Sequence, residues 1–393
     1  MKLVSLETAG FRNLAPGAIT FADGVNLLVG SNAAGKTNTL ECACCFATGR
    51  SFRTRAEKDM IAHGSDCMRS VLTYETASGI RETMTAALAK DSSKGLVRRL
   101  TVGGCEVARM SEFLGNFRAV LFTPDHLALI KGSPEERRRF LDMALSQIAP
   151  PYVRCMNRYL KVTGQKNAYL RKIGGNGKAD MAYLDTLNRE QAKAAAPIIR
   201  QRQGFLELLC DKASAYYSAL SGRSDTLEIR YLSALRRKNG ADTEDAEEIL
   251  YTIYHEDTEA ELKFGYTIHG PQKDDLAIFI AKSDTGIVPE GEDAENAVSE
   301  FNARSFGSQG EQRSAVLAMK LAEGQIMREL TGEYPVFLLD DLLGELDKER
   351  KAKLMTLIAD RQAIITCCDR DAFPGGGADK IIRVENGHFT EET

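Results

Sequence analysis

The sequence lacks a long apolar run. No stretch approaches the roughly 18 to 20 consecutive apolar residues with which a helix spans a bilayer, and the opening residues, MKLVSLETAGFRN, lack the apolar core of a secretory signal. We therefore expect a cytoplasmic protein with no membrane partner. Of the 393 residues 43% are hydrophobic, which excludes disorder of the whole chain and allows two or three cores.

The composition has neither an excess of positive charge nor an extracellular context for its cysteines. The formal net charge is -4 at pH 7, so the average field repels phosphate weakly, and a nucleic acid would have to bind a local basic surface. The nine cysteines are expected to be reduced thiols. Cys42, Cys44 and Cys45 are too tightly spaced for a tetrahedral zinc site and are expected in the core.

Strands and helices alternate at both ends of the chain. The alternation of apolar and polar residues predicts strands through most of 1–123, with one helix at 37–48. A helix predicted at 309–331 is followed by the strand PVFLLDD, a helix at 347–360 and the strands AIITCCD and IIRVEN. This order favours an α/β fold.

The middle of the chain is predicted to be largely helical. Residues 133–136, Ser-Pro-Glu-Glu, have the pattern of a capping box at the start of a helix. Helices at 151–172 and 180–221, the second with a kink at Pro197, are expected to form a hairpin that projects as an arm. An acidic helix is predicted at about 243–262. Loops are predicted at 174–177 and 283–300.

Residues 30–37, Gly-Ser-Asn-Ala-Ala-Gly-Lys-Thr, match the phosphate-binding loop G-x-x-x-x-G-K-[ST] without a mismatch. The loop follows a predicted strand and opens a predicted helix, so its backbone N–H groups can surround phosphates. Lys36 is predicted to reach the β- and γ-phosphates and the Thr37 hydroxyl to ligate Mg²⁺. The predicted nucleotide-binding residues are Gly30, Ser31, Asn32, Ala33, Ala34, Gly35, Lys36 and Thr37.

Two aspartates end the apolar strand PVFLLDD, some 300 residues after the loop. A phosphate-binding loop needs an acidic metal partner at the end of a neighbouring buried strand, and Asp340 is predicted to be that Mg²⁺ ligand. Asp341 is predicted to polarise the attacking water. It is one methylene shorter than a glutamate, which indicates slow hydrolysis. The predicted catalytic residues are therefore Lys36, Asp340 and Asp341.

The segment 305–313 contains Ser-Gln-Gly-Glu-Gln at the head of a predicted helix, and it resembles the signature sequence of ABC-type ATPases. The segment 339–347 resembles their Walker B motif followed by the D-loop. A serine and glycine amides at a helix N-terminus can bind a phosphate. The resemblance implies that Ser308, Gln309 and Gly310 contact ATP held by a second copy, with two ATP in a head-to-tail homodimer.

Within that class the chain resembles the RecF family over nearly its whole length. The motifs that carry the resemblance are GFRN at 10–13, the loop with Asn38 and Glu41, GRSFRT at 49–54, KGSP at 131–134 with RRRFLD at 137–142, QKN at 165–167, and GP at 270–271 with DDL at 274–276. The chain departs from the family pattern at Lys166, Gln272, Lys273, Glu311 and Gly344.

The resemblance implies an ABC-type P-loop ATPase head. Lobe I would comprise 1–123 and 332–393, and a largely helical lobe II would comprise 124–331, with the hairpin arm at about 151–221 and the signature helix. Arg12 would contact the nucleotide. The resemblance further implies a DNA-repair and replication protein whose ATP-closed homodimer clamps single- and double-stranded DNA at gaps and junctions. It would act with RecO and RecR in RecA loading, support the SOS response and hydrolyse ATP weakly with DNA stimulation.

Two basic stretches of the N-terminal lobe are candidates for DNA contact, although charge runs are usually solvated faces. The candidates are Arg50, Arg53, Arg55 and Lys58, and Lys94, Arg98 and Arg99. If they line one face of the dimer, they would hold the phosphate backbone without reading bases. The run 137–139, Arg-Arg-Arg, fits either DNA contact or the polar face of a capped helix.

The sequence also lacks the switch histidine that ABC ATPases carry after the strand following Walker B. AIITCCD offers Thr366 instead, either as a sensor of the γ-phosphate or as a small residue that ends a core strand.

Two other classes of protein remain as alternatives. A transporter subunit would have the histidine and a membrane partner, and an SMC-like chromosome-organising ATPase would have a coiled coil of hundreds of residues between loop and signature.

Overall fold

The computed structural model describes residues 1–93, 95–173, 179–222, 225–235, 245–281, 302–370, 373 and 377–392. Lys94 and the loops predicted at 174–177 and 283–300 lie outside the described residues. No helix within the described ranges is long and apolar enough to cross a membrane.

The described elements are as follows. The strands are β1 (Lys2–Ala9), β2 (Gly17–Thr20), β3 (Val25–Val29), β4 (Cys67–Glu75), β5 (Arg81–Asp91), β6 (Gly95–Val102), β7 (Cys105–Glu106), β8 (Ala119–Phe122), β9 (Thr226–Leu232), β10 (Asp275–Ala281), β11 (Val336–Leu339), β12 (Ala363–Cys367), β13 (Lys380–Glu385) and β14 (His388–Glu392). The helices are α1 (Lys36–Thr48), α2 (Met110–Phe113), α3 (Ala128–Lys131), α4 (Pro134–Ile148), α5 (Pro150–Ile173), α6 (Met181–Ser221), α7 (Ala246–Glu256), α8 (Thr258–Phe264), α9 (Ala303–Phe306), α10 (Gln309–Thr331) and α11 (Lys348–Ile358).

The described residues fold into two compact units. Unit 1 is formed within Met1–Leu127, Ala215–Ser224 and Arg313–Thr393, and unit 2 within Ala128–Ser214 and Asp225–Gln312. The predicted α/β fold is confirmed. The lobe boundaries predicted from the resemblance stay a prediction.

A six-stranded sheet in unit 1 determines where the loop residues meet their partners. Its order is β14-β13-β3-β12-β11-β8, with β14 antiparallel and the other five strands parallel. Every residue of β3, β8, β11 and β12 is buried, as expected for a parallel sheet that is covered on both faces. Parallel pairing brings the carboxyl ends of β3, β12 and β11 to one edge of the sheet.

Helix α1 lies between this sheet and a second, antiparallel sheet of order β2-β1-β4-β5-β6-β7. One continuous core includes Leu40 and Phe46 of α1, Leu28 and Leu338 of the first sheet, and Leu72 of the second. Because α1 begins directly after the phosphate-binding loop, this core fixes the loop against the end of the sheet.

The cysteines of α1 belong to this core, as predicted. Cys42 and Cys44 are buried and Cys45 is partly buried. Burial raises the pKa of the Cys42 thiol to about 12, so it stays protonated at neutral pH. None of the nine cysteines, all of which the structure describes, forms a disulfide bond.

Unit 2 is largely helical. Helix α6 runs through Pro197 as one helix of 41 residues, which is about 60 Å at ~1.5 Å per residue. Helix α4 packs against α5 and against β10, which pairs antiparallel with β9, and α8 packs against α5. The projecting arm at about 151–221 stays a prediction.

Three local predictions need correction. The capping box at 133–136 does not form, because the amide of Glu136 donates to the carbonyl of Ser133 (3.1 Å) and the Ser133 hydroxyl makes no capping bond. The acidic helix predicted at 243–262 is two helices, α7 and α8, which meet at Asp257. Strand β14 was not predicted, because His-Phe-Thr-Glu-Glu has one apolar residue and pairs through its backbone with β13.

A buried ion pair in unit 2 gives a test of the fold. Nζ of Lys166 lies 2.6 Å from Oε2 of Glu261, and neither side chain is exposed. Burial lowers the pKa of Lys166 and raises that of Glu261. We expect Lys166→Met to lower the free energy of unfolding by about 3–5 kcal/mol, because it leaves the Glu261 charge buried without its partner. Urea unfolding measures the loss.

The matched control is the double variant K166M/E261L, which removes both charges. We expect it to lose much less stability than K166M alone, because no uncompensated charge remains. A K166M protein as stable as the double variant would contradict the buried pair.

Candidate nucleotide-binding site

The predicted phosphate-binding loop connects β3 to α1. At Gly30 an added Cβ would lie 2.2 Å from the carbonyl oxygen of Val384, so only glycine fits beside β13. Ala33 (φ 65°) and Gly35 (φ 120°) have left-handed backbones that curl the chain around its own amide groups. Nζ of Lys36 donates to the Gly30 carbonyl (2.6 Å), which places the ammonium group inside the loop.

The loop lines an open cleft of about 900 Å³ within unit 1. Of the eight loop residues predicted from the motif, five line it: Asn32, Ala33, Gly35, Lys36 and Thr37. Ser31 is exposed, and its carbonyl accepts a second bond from Lys36 (2.9 Å). Ala34 is buried beneath the loop, where its carbonyl accepts from the amide of Gly387 (2.8 Å).

Four residues from three segments meet at the sheet edge. Oγ1 of Thr37 donates to Oδ1 of Asp340 (2.9 Å), across 303 residues of sequence. Oγ1 of Thr366 donates to the same oxygen (2.9 Å) and accepts from the amide of Asp341 (2.9 Å). The aspartate pair predicted from PVFLLDD therefore lies beside the loop, Asp340 buried and Asp341 exposed on the cleft.

The electrostatics of the aspartate pair follow from this burial. Burial raises the pKa of Asp340, an effect that the hydrogen bonds from Thr37 and Thr366 oppose and the nearby charge of Asp341 reinforces. A cation at this point would lower that pKa, because it favours the ionised carboxylate. The site is thus suited to bind positive charge between the Thr37 hydroxyl and the carboxylate.

A buried glutamate that the sequence did not single out as a site residue organises the opposite wall. Glu41, on the buried face of α1, accepts two bonds from Arg12 (3.1 and 2.6 Å) and one from Arg53 (3.4 Å). Arg53 also donates to Asn38 (2.5 Å). Arg12 and Arg53 both line the cleft. Contact of Arg12 with a nucleotide stays a prediction. The sequence feature that could have indicated this role is the position of Glu41, an acidic residue one turn into the helix that follows the loop.

The signature residues start α10 with a reciprocal capping box. The amide of Ser308 donates to Oε2 of Glu311 (2.8 Å), and the amide of Glu311 donates to the Ser308 hydroxyl (3.3 Å). Ser308 and Gln309 are exposed and Gly310 is half-buried. These residues stand at the positive end of a 23-residue helix, which suits an anion. Their contact with ATP of a second copy stays a prediction.

The segment after Asp341, which resembles a D-loop, is fixed within unit 1. Arg313 forms an ion pair with Glu345 (2.9 Å) and donates to its carbonyl (3.1 Å). Asp347 caps α11 by accepting from the amide of Arg350 (2.8 Å). Contacts with arginines therefore hold the segment after the acidic pair at Glu345 and at Asp347.

The basic residues predicted for DNA contact have different local surroundings. Arg53 and Lys58 line the cleft. Arg98 is ion-paired with Glu57, and because side chains alternate along a strand, Arg99 points to the other face of β6. Arg50, Arg55 and Arg99 are exposed. DNA contact by any of these residues stays a prediction.

The arginine run at 137–139 is part of the packing of unit 2 at its first two positions. Arg137 is buried and pairs with both carboxylate oxygens of Asp275 (2.6 and 2.9 Å). Arg138 donates to the carbonyl of Asp274 (2.7 Å). Both side chains therefore make contacts within unit 2, and DNA contact by the run stays a prediction.

A phosphate-binding loop, an acidic pair at the neighbouring strand end and a capped signature helix in one chain define an ABC-type ATPase head. The sequence model of the RecF/RecN/SMC N-terminal domain family matches residues 2–391. The chain belongs to this family and, by the relatives described next, to its RecF branch.

A DNA replication and repair protein RecF from Pediococcus pentosaceus is 35% identical over 93% of this chain and 92% of its own length. A solved structure of the recombination mediator protein RecF with ATP in the RecFOR pathway is 28% identical, with a TM-score of 0.87 and coverage of 100% of this chain and 98% of that one. A Pyrococcus furiosus Smc head is 16% identical with a TM-score of 0.54, over 100% of this chain and 96% of that one, and shares the fold.

Thiol labelling provides a test of the cleft. Cys368 is exposed, lines the cleft and donates to Asn32 (3.1 Å) in the loop. We expect ATP to slow maleimide modification of Cys368, by about 100-fold at a concentration roughly 100 times its Kd, because bound nucleotide covers the thiol. Cys105, an exposed cysteine on β7, is the internal control. Equal protection of both cysteines, or of neither, would contradict a nucleotide site in this cleft.

Proposed function

We propose that this protein is an ATP-dependent DNA-binding protein of recombinational repair and replication. The observation that carries the proposal is the contact between Thr37 and Asp340 in a cleft that Lys36 also lines. This contact joins a phosphate-binding loop to a carboxylate at the adjacent strand end, which is the arrangement that phosphoryl transfer requires. Family membership supplies the link to DNA.

Different residues of the cleft contribute to ATP binding and to hydrolysis. The loop amides surround the phosphates, and Lys36 turns from the loop carbonyls to the β- and γ-phosphates. Arg12, held by Glu41, faces the same cleft and adds positive charge beside the nucleotide. Asp341 polarises the water that attacks the γ-phosphate. Hydrolysis is slow and DNA-stimulated, and it resets the protein.

The donor set fits magnesium. A hydroxyl and a carboxylate oxygen are hard oxygen ligands of the kind that Mg²⁺ takes when it binds together with nucleotide phosphates. Thr37 and Asp340 would hold the ion. When bound, it would neutralise part of the negative charge on the phosphates.

ATP is bound at the interface between two copies of the chain. Each signature helix presents Ser308 and the amides that follow to the γ-phosphate bound by the other copy, so that two ATP are enclosed in a head-to-tail homodimer. The exposure of Ser308 and Gln309 supports this assignment, as does the capping that fixes the start of α10. The closed homodimer clamps DNA, and loss of the γ-phosphate opens it.

The clamp acts at single-strand gaps and at junctions between single- and double-stranded DNA. With RecO and RecR it promotes RecA loading and supports the SOS response. Support comes from the names of the relatives, which place those proteins in DNA replication and repair and in the RecFOR pathway.

A substitution in the signature segment tests whether ATP is bound between the two copies of the head-to-tail homodimer. Ser308→Arg is expected to bind ATP with unchanged affinity and to lose ATP-dependent dimerisation, because the added side chain fills the phosphate position in the other copy's site. Lys36→Ala is expected to lose ATP binding itself. Fluorescent-nucleotide titration and sedimentation velocity separate the two effects.

The matched control for this pair is Ser78→Arg, which places the same charge at an exposed serine in the turn between β4 and β5. It is expected to dimerise with ATP as the unmodified protein does. A Ser308→Arg protein that still dimerises with ATP would refute the head-to-tail homodimer with ATP between its two copies.

The role of Asp341 is tested by removing its charge. Asp341→Asn is expected to keep ATP binding, because asparagine tolerates the left-handed backbone found there (φ 48°). Phosphate release should fall by about 100-fold or more, as for the loss of a general base, and the ATP-bound dimer should persist. Asp341→Glu, which retains a carboxylate, is the control. Unchanged phosphate release by Asp341→Asn would exclude the role.

A further inference from the structure

Thr366 stands where the parallel sheet brings three strand ends together. It is the fourth of five residues in β12 and is 1% exposed. The register pairs Leu339 of β11 with Ile365 of β12 and Leu28 of β3 with Thr366. The next residue of the chain after Leu339 is Asp340, so the threonine side chain and the first aspartate are neighbours at one sheet edge.

The Thr366 hydroxyl makes one hydrogen bond to each residue of the aspartate pair. A threonine hydroxyl has one proton, and this one donates it to Oδ1 of Asp340 (2.9 Å). The hydroxyl oxygen then accepts from the backbone amide of Asp341 (2.9 Å). One side chain thus contacts the carboxylate of the first aspartate and the main chain of the second.

The second contact constrains an unusual backbone. Asp341 has φ 48°, a left-handed conformation that few residues other than glycine adopt. The amide bond to Thr366 helps to hold this conformation, which turns the exposed Asp341 side chain toward the cleft. Without the hydroxyl, the buried Asp340 oxygen would lose one of its two donors and the Asp341 amide would lose its acceptor.

We infer that Thr366 is a positioning residue for ATP hydrolysis, which fixes the directions of both aspartates at once. The inference rests on the proposed ATPase function. It differs from the sensor role that the sequence suggested, because the hydroxyl faces the aspartates and is engaged there. Thr366 acts through Asp340 and Asp341 and need not touch the nucleotide.

The test compares turnover with ATP affinity. Thr366→Val has the same shape without the hydroxyl, and it is expected to lower kcat about 10- to 100-fold, as for residues that orient a metal-site ligand. ATP affinity and ATP-dependent dimerisation should stay within about threefold. Thr366→Ser restores the hydroxyl and is expected to restore kcat. Thr8→Val is the matched control, because Thr8 is also buried and its hydroxyl has no hydrogen-bond partner among the residues that the structure describes.

Each outcome decides for or against the inference. Unchanged kcat in Thr366→Val overturns it, and so does a folded Thr366→Ser protein as slow as Thr366→Val, since the methyl group would then matter. Lost ATP affinity with lost dimerisation would favour the sensor role and overturn it as well. If the valine variant does not fold, Thr366→Ala against Thr366→Ser, which differ by one hydroxyl, gives the same comparison. Absence of turnover in the unmodified protein would refute the proposed function instead.

Discussion

The hydrogen bond between Thr37 and Asp340 is the interaction on which the site depends. It joins residues that are 303 positions apart in sequence, and it exists because β12 lies between β3 and β11 in one parallel sheet. The buried strands supply the rigidity, and the loop and the aspartates supply the polar groups at the edge. Ligands of open α/β sheets bind at this end of the strands for the same reason.

Two buried carboxylates divide the cleft between them. Asp340 accepts hydrogen bonds from the hydroxyls of Thr37 and Thr366, whereas Glu41 accepts hydrogen bonds from the guanidinium groups of two arginines. Both acids are removed from water, so each is sensitive to the loss of a partner. One wall of the cleft therefore has a buried carboxylate beside Thr37, and the other has two arginines paired with Glu41.

The sequence predicted those parts of the site that depend on short motifs. Gly30, Lys36, Thr37 and the aspartate pair could be placed because their spacing reflects local geometry, and the apolar run PVFLLDD indicated that Asp340 would stand at the end of a buried strand. The position of Glu41 as a common acceptor for two arginines depends on tertiary contacts that no spacing encodes.

Contacts that depend on tertiary pairing could not be predicted from local pattern. The basic run around Arg98 looked continuous in sequence, but a strand sends neighbouring side chains to opposite faces and Glu57 neutralises one of them. Strand β14 could not be predicted because backbone pairing with β13, not apolar side chains, forms it. The Thr366 contacts became evident only from the strand register.

The central claim is that ATP closes two copies of the chain on DNA. Its most direct test is the mass of the protein in solution with gapped duplex DNA, measured with ATP, with ADP and without nucleotide. We predict a complex of one DNA with two 43.2 kDa chains when ATP is present, and no such complex with ADP or without nucleotide. A monomer whose mass ignores both nucleotide and DNA would contradict it.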